Sequence, residues 1–355
     1  MQKIVISGIQ QMGVGVSDVK EAWNWYIKHF GMDIRVFEEK AVAKLMLPHT
    51  NGEPRERYAA LAINMNGGGG FEIWQHTGKT PEKPLFDLQI GDLGICVAKL
   101  KCRSINETFA YQKKVNTTIL GEISTMPNGQ KHFFVQDPYN NIFEFVEEPI
   151  YFSKLKNIPS GGTYGAIIGV ANMEESLPVY RDILGYDEIA YDETKQFDDL
   201  AALPGGNGTF RRVLLKHSEI RKGAFAALFG PTQIELVQAM DYTPRNIFEG
   251  RIWGDPGFIH LCFDVQGMSA IRELCEKKGF PFTVDSSNSF DMGAAAGHFT
   301  YIQAPEGTLI EFVETHKVPI LKKLGWYIDL TKRDPEKSLP MFILKAMGLN
   351  RVKSV

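Results

Sequence analysis

The chain is poor in the features that would settle its chemistry at a glance. It has four cysteines in 355 residues, Cys96, Cys102, Cys262 and Cys275, and none forms a CxxC pair. That excludes a paired-cysteine zinc site or redox motif. Cys96 and Cys262 fall inside strand-like stretches, where buried reduced thiols are expected. Charge of one sign is also scarce. The net charge is −3, so no general attraction to nucleic acid or to an anionic membrane surface is expected. No apolar run is long enough for a membrane span, and MQKIVISGIQQMG does not read as a secretion signal. The expectation is a cytoplasmic protein. The one glycine tract, Gly67–Gly70, is followed by the strand-like FEIWQ rather than a helix, which argues for a hairpin connection and against a phosphate-cradling loop.

What the chain does have is repetition. With 44% hydrophobic residues it can bury a large core. In GFIHLCFDV, Ile259, Leu261 and Phe263 alternate with His260, Cys262 and Asp264, the pattern of a half-buried strand. A helix-like MSAIRELCEKKG follows, and later the strand LIEFVE behind the turn APEGT. Three imperfect copies precede this unit. Opening strands QMGVGV, DLGICV, GAIIGV and HLCFDV begin at Gln11, Asp92, Gly165 and His260, and each ends on Val. Closing strands FEIWQ, FEFVE, IELVQ and IEFVE centre on Glu72, Glu144, Glu235 and Glu311. Such self-similarity decides the fold before any local reading does.

The modules run from about Gly8 to His76, Ile90 to Glu147, Thr163 to Gln238 and Gly257 to Glu314. In the first, Ser17-Asp18 caps a helix over VKEAWNWYIKHF that Gly31 stops. The second has a helix near Ser104–Lys114. The stretch EPIYFSKLKNIPSGG reads as a linker. Residues 1–150 therefore form one expected domain of modules one and two, and residues 151–316 a second of modules three and four. Residues 317–355 break the repeat, and KSLPMFILKAMG within them predicts a short helix with Pro near its start. This tail is expected to pack across the domains or at a subunit interface.

Four Glu at one repeat position need one explanation. Either they face solvent, or they line the floor of a cavity in a curved sheet, where a His or Gln on the opening strand completes a mixed N/O site for a divalent ion. His132 and His298 each open the strand before a Glu strand. They are candidates for substrate contact or catalysis, against the alternative of strand-end histidines touching solvent.

The βαβββ repeat resembles the vicinal oxygen chelate superfamily over about Gly8 to Glu314, most specifically in LPVYRDILG, DPYNNIFEFVE and APEGTLIEFVE. That group includes glyoxalase I, extradiol ring-cleaving dioxygenases and bleomycin- and fosfomycin-resistance proteins. The resemblance implies an α+β fold: four βαβββ modules forming two half-open mixed β-barrels with helices outside, plus a C-terminal extension. It leaves the pairing open. If modules one and two pair, as do three and four, only His260 and Glu311 match a dioxygenase set, because Gly165 stands where the first His belongs. If one pairs with four, then Gln11, Glu72, His260 and Glu311 gather as a glyoxalase-like metal set, and Asp92, Glu144, Gly165 and Glu235 form a degenerate or differently used one. The resemblance implies a divalent ion (Zn, Ni, Co, Mn or Fe), a small vicinally oxygenated substrate, and Glu311 as the base that removes a proton beside a carbonyl, with His298 as a second catalytic candidate. Arg35, Arg103, Arg211 and Arg212 are candidates for a substrate carboxylate. A monomer or homodimer is expected. The function implied first is a metal-dependent lyase or isomerase; an iron dioxygenase and a metal-free binding protein of the resistance type are the alternatives.

Overall fold

A computed structural model describes residues 3–155, 158–286, 290–291, 296–321 and 326–355. Module one is β1 (Val5–Gly15), α1 (Val19–Phe30), β2 (Ile34–Ala43), β3 (Arg55–Ile63) and β4 (Gly70–His76). Module two is β5 (Gly94–Cys102), α2 (Ile105–Lys114), β6 (Thr118–Thr125), β7 (Lys131–Gln136) and β8 (Ile142–Glu147). Module three is β9 (Ser160–Gly169), α3 (Met173–Pro178), β10 (Glu188–Gln196), β11 (Thr209–Lys216), α4 (Ala226–Phe229) and β12 (Gln233–Ala239). Module four is β13 (Gly257–Gln266), α5 (Met268–Lys277), β14 (Val284–Asp285), β15 (Phe290–Asp291), β16 (Ala296–Gln303) and β17 (Leu309–Thr315). The tail adds β18 (Lys317–Leu321), β19 (Trp326–Asp329) and α6 (Met341–Ala346).

Hydrogen bonding joins the modules in the order one with four and two with three. One sheet runs β14-β16-β17-β13-β1-β4-β3-β2, with β15 on β16; the other runs β10-β11-β12-β9-β5-β8-β7-β6. In each, the two opening strands meet antiparallel at the centre, β1 on β13 and β5 on β9, and each closing strand lies parallel to its own opening strand. Each sheet thus draws one module from either side of the linker-like stretch near residue 150. The fold is the expected α+β pair of half-open mixed barrels.

Local chemistry explains the elements. Asp18 caps α1 by accepting from the backbone N–H groups of Lys20 and Glu21, and Gly31 ends it at φ 69°. Ser104 and Asn172 cap α2 and α3 in the same way. Alternate strand residues turn to the convex faces, where they form one shared core with α1, α2 and α5. Phe143 of module two meets Phe30 and Phe71 of module one at 4.9 and 5.5 Å, and Phe258 of module four at 5.4 Å. Each such ring, fully buried, stabilises by roughly 1.5–3 kcal/mol. The glycine tract is a crossing point: Gly69 pairs with Thr163, and a Cβ on Gly68 (φ 104°) would come within 2.7 Å of the Gly162 backbone. Only glycine permits that approach. The tail packs on modules one and three, through Val352 N–H to Asp33 O, the Arg351–Asp33 ion pair, and Leu339 N–H to Ala224 O.

Two histidines pack against aromatic rings without a cationic role, His29 buried and His217 half-buried. His29 Nδ1 lies 2.6 Å from Thr117 Oγ1 and its ring stacks on Trp25; His217 Nδ1 donates to Gly185 O at 2.8 Å and its ring stacks on Tyr186. Burial, then the charges of Lys28 and Arg221 respectively, push their pKa from 6.5 down to about 4 and about 3. The unfolded chain protonates both near 6.5. Their contribution to stability is therefore complete above pH 6.5 and drains as the pH falls towards 4 for His29 and 3 for His217. Unfolding midpoints measured between pH 7 and 4 should fall steeply, and the H29Q/H217Q chain should show a flatter profile over that range.

Candidate metal centre

The two-residue period of a strand brings Gln11 on β1, Glu72 on β4, His260 on β13 and Glu311 on β17 to one concave floor. Gln11 Nε2 lies 3.1 Å from Glu72 Oε2 and 3.5 Å from Glu311 Oε2. His260 Nε2 lies 3.2 Å from Glu72 Oε2 and 3.3 Å from Glu311 Oε2. Glu72, His260 and Glu311 each offer a ligand atom within 4.8 Å of the others. The four residues are at most 9% exposed. Gly13 makes room: a Cβ there would sit 2.5 Å from the His260 ring.

The electrostatics call for a cation. Two carboxylates face each other out of water, an arrangement that is costly without a positive partner. Burial pushes Glu311 up to about 7, with His260 opposing. Burial also acts to raise Glu72, but His260, Arg57 and Gln11 outweigh it and hold its carboxyl below the usual range. Burial disfavours the charged imidazole, yet Glu311 and Glu72 carry His260 above its usual value. Neither ring nitrogen of His260 makes a directed hydrogen bond, and Gln11 Oε1 is buried without a partner. A Gln amide reads equally well rotated, and the rotation would turn that free oxygen towards the carboxylates. Nitrogen, amide oxygen and two carboxylates are a fitting donor set for a divalent ion.

Around the cluster, Tyr301 on β16 lies opposite Glu311, and its phenol acts to lower that carboxyl's pKa against the effect of burial. The loop before β13 places Trp253 against Trp74 at 4.6 Å and parallel to the His260 ring at 6.3 Å. Asp255 anchors that loop, accepting from Lys79 Nζ at 3.0 Å and from the backbone N–H groups of Glu82 and Ile252. Trp253 also lines a cleft of about 370 Å³ with His49, Phe248, Arg251, Ile259 and Leu309. Sequence reasoning missed Trp253, Tyr301 and Arg251. Trp253 lies outside the repeats, and Tyr301 is legible only once β16 is set in register with β17.

Three expectations are corrected by register. His298 is not at the cluster. On β7, His132 faces Val146, two residues beyond Glu144; on β16, the residue facing Val313, two beyond Glu311, is Phe299. His298 is one residue out of step, and one step turns a strand side chain to the other face. It hydrogen-bonds Asp285 Oδ1 at 2.6 Å instead. Asp92 is not an opening-strand anchor. Gly13 faces Glu72, Lys99 faces Glu144, Ile167 faces Glu235 and Cys262 faces Glu311, so the partner of Gln11, Gly165 and His260 in module two is Val97. Asp92 ties a loop, accepting from the backbone N–H groups of Gln89 and Arg245. None of the four arginines reaches the cluster: Arg35 pairs with Glu38, Arg103 stacks on Tyr151, Arg211 pairs with Asp192 and Glu174, and Arg212 lies in the other barrel.

Two family models described as Glyoxalase/Bleomycin resistance protein/Dioxygenase superfamily match residues 8–145 and 166–301. With the βαβββ topology, these matches place the chain in that superfamily, the vicinal oxygen chelate group. Its fold is similar to glyoxalase I from Zea mays, 14% identical, with 88% of this chain and 92% of that chain covered and a TM-score of 0.53. It is similar to a putative dioxygenase from Bacillus subtilis at 13% identity, 87% and 86% coverage and a TM-score of 0.56. None of the curated proteins matches the chain in sequence. Members of the superfamily include glyoxalase I, dioxygenases and resistance proteins, act on or bind small molecules, and typically hold a divalent metal. Among the described residues no helix is long and apolar enough to cross a membrane.

Proposed function

We propose that this chain is a metal-dependent lyase or isomerase of the glyoxalase type, acting on a small substrate with oxygens on adjacent carbons. The observation that carries the reading is the buried Gln11, Glu72, His260, Glu311 cluster, with its two carboxylates converging on one imidazole. One His and two Glu are a poor match to the two-His-one-carboxylate set of iron dioxygenases. A divalent ion held by these four residues would supply Lewis-acid polarisation of the substrate oxygens.

The chain's own residues do the rest. Leu309, two positions from Glu311 on β17, lines the cleft, and Glu311, which burial pushes up to about 7, is the carboxylate suited to accept a proton. Glu311 takes the proton from the carbon beside the carbonyl and returns it to the former carbonyl carbon, while the hydroxyl proton passes from one substrate oxygen to the other, so that the carbonyl and hydroxyl exchange places and the carboxylate is restored. Tyr301, opposite it on β16, opposes the effect of burial on that carboxyl. Trp253 and Trp74 keep bulk water from the site, which strengthens every charge interaction within it.

The test is metal content of the purified chain beside H260A, followed by deuterium exchange of small α-hydroxycarbonyl compounds in heavy water after loading with Zn, Ni, Co, Mn or Fe(II). Metal lost in H260A, with C–H exchange and no oxygen uptake, is the expected result. Oxygen consumption with Fe(II) would move the assignment to a dioxygenase. A chain that takes no metal and exchanges no proton would leave a ligand-binding protein of the resistance type.

A further inference from the structure

The second half-barrel holds the same two carboxylates and treats them differently. Glu144 on β8 and Glu235 on β12 occupy the positions of Glu72 and Glu311, and both are wholly buried. Between them stands the ammonium of Lys99, with Nζ bonded to Glu144 Oε2 at 2.5 Å and to Glu235 Oε2 at 2.7 Å. The remaining carboxylate oxygens are also satisfied. His132 Nδ1 lies 2.7 Å from Glu144 Oε1, and Glu235 Oε1 accepts from Arg212 Nε at 2.6 Å and from the Tyr191 hydroxyl at 2.8 Å. Arg212 in turn reaches both oxygens of Asp199 at 2.8 Å.

The two barrels can be compared pair by pair. At the seam of the first, Gly13 faces His260; at the seam of the second, Lys99 faces Gly165. The same cross-strand pair is Gly–His in one and Lys–Gly in the other. Gly13 vacates the space that the His260 ring fills, whereas Gly165 lies against the backbone of Gln233, whose carbonyl a Cβ there would meet at 1.8 Å. The fourth donor goes too, since Val97 stands where Gln11 does. The first barrel keeps an amide oxygen without a partner, and an imidazole nitrogen 3.2 and 3.3 Å from its two carboxylates, whereas every carboxylate oxygen of Glu144 and Glu235 has a hydrogen-bond or ion-pair partner.

We propose that the second half-barrel carries its cation covalently: Lys99 does for Glu144 and Glu235 what a divalent ion does for Glu72 and Glu311, and its ammonium keeps metal out. The chain then holds one ion, not two, and the second barrel is a latent metal site closed by a single side chain. The comparison rests on the metal reading of the first barrel; the consequence for Lys99 can be tested without it.

The test uses Mn(II) as the probe and the full-length chain, with K99A made in the wild-type and the H260A backgrounds and expressed with and without added Mn(II). Removing the ammonium leaves two carboxylates and room beside them. H260A should bind no Mn(II), whereas H260A/K99A should bind one per chain, with an electron paramagnetic resonance signal of bound Mn(II) and a melting temperature that rises with Mn(II). K99R, which keeps a cation there, should stay at the wild-type stoichiometry. If the wild-type chain binds no metal while K99A binds one, the reading of the first barrel fails and that of Lys99 stands. Lys99 loses the role if H260A retains an ion that E144Q or E235Q removes. It loses it equally if H260A/K99A takes up no Mn(II), whether it folds or stays insoluble with Mn(II) in excess.

Discussion

Replacing Glu311 with Gln lowers turnover by roughly 100- to 10,000-fold, the range a positioned general base contributes, while most of the bound metal is retained. The substitution keeps the shape of the side chain and one oxygen donor, and it removes the charge and with it the capacity to accept a proton. Glu72→Gln has the same steric footprint, on β4 across the cluster from Glu311 on β17. Its expected effect is on metal affinity, with turnover largely restored at saturating metal. His260→Ala removes the single nitrogen donor and loses both. Measuring turnover of deuterium-labelled substrate against metal concentration for the three variants separates the roles. Equal losses in E311Q and E72Q that metal restores equally would show that neither carboxylate is the base.

The repeat made the fold legible. Four opening strands, four Glu-centred closing strands and the helix caps at Asp18 and Gly31 were all visible in the sequence, because period-two alternation and capping chemistry are local. Gln11 and His260 recur at the opening-strand position and Glu72 and Glu311 at the closing-strand position, and the family resemblance joined them as a set. Their meeting required knowing which modules share a sheet, and that depends on long-range contacts such as those of Phe143 with Phe71 and Phe258. Register was the harder quantity. The shared terminal Val drew Asp92 into the place of Val97, a slip of five residues that hid Lys99 from view. His298 failed by a single residue, which on a strand is the difference between the cavity and the opposite face. Trp253 carried no repeat signal, since the loop that bears it belongs to no module, and its place over His260 is fixed by the buried Asp255 anchor.

Arg212→Met should destabilise the chain by about 3–5 kcal/mol, the cost of removing one partner from a buried charge network. Arg212 is fully buried. It holds Glu235 through Nε and Asp199 through Nη1, contacts the Tyr191 hydroxyl at 3.3 Å, and lies over the Phe197 ring at 4.5 Å. Without it, Glu235 keeps only Lys99 and Tyr191, and Asp199 is left with His132 at 3.5 Å. Carboxylates in that position are either desolvated and charged or protonated, and both are unfavourable at neutral pH. The neighbouring Arg211 supplies the control. It points to the opposite face of β11 and pairs with Asp192 and Glu174 at the surface, where such pairs contribute about 0–1 kcal/mol. R211M and R212M therefore remove the same side chain from adjacent residues of one strand, on opposite sides of the sheet. Denaturation of the two variants under the same conditions should show R212M melting roughly 10 °C lower, a shift consistent with the free-energy loss in a domain of this size, and R211M close to wild type. Lys at position 212 keeps the charge but not the planar fork that spans Glu235 and Asp199, so R212K should fall between them. Similar small shifts for both methionine variants would mean that the second barrel is held by its apolar lining, and that the charge network adds nothing measurable to stability.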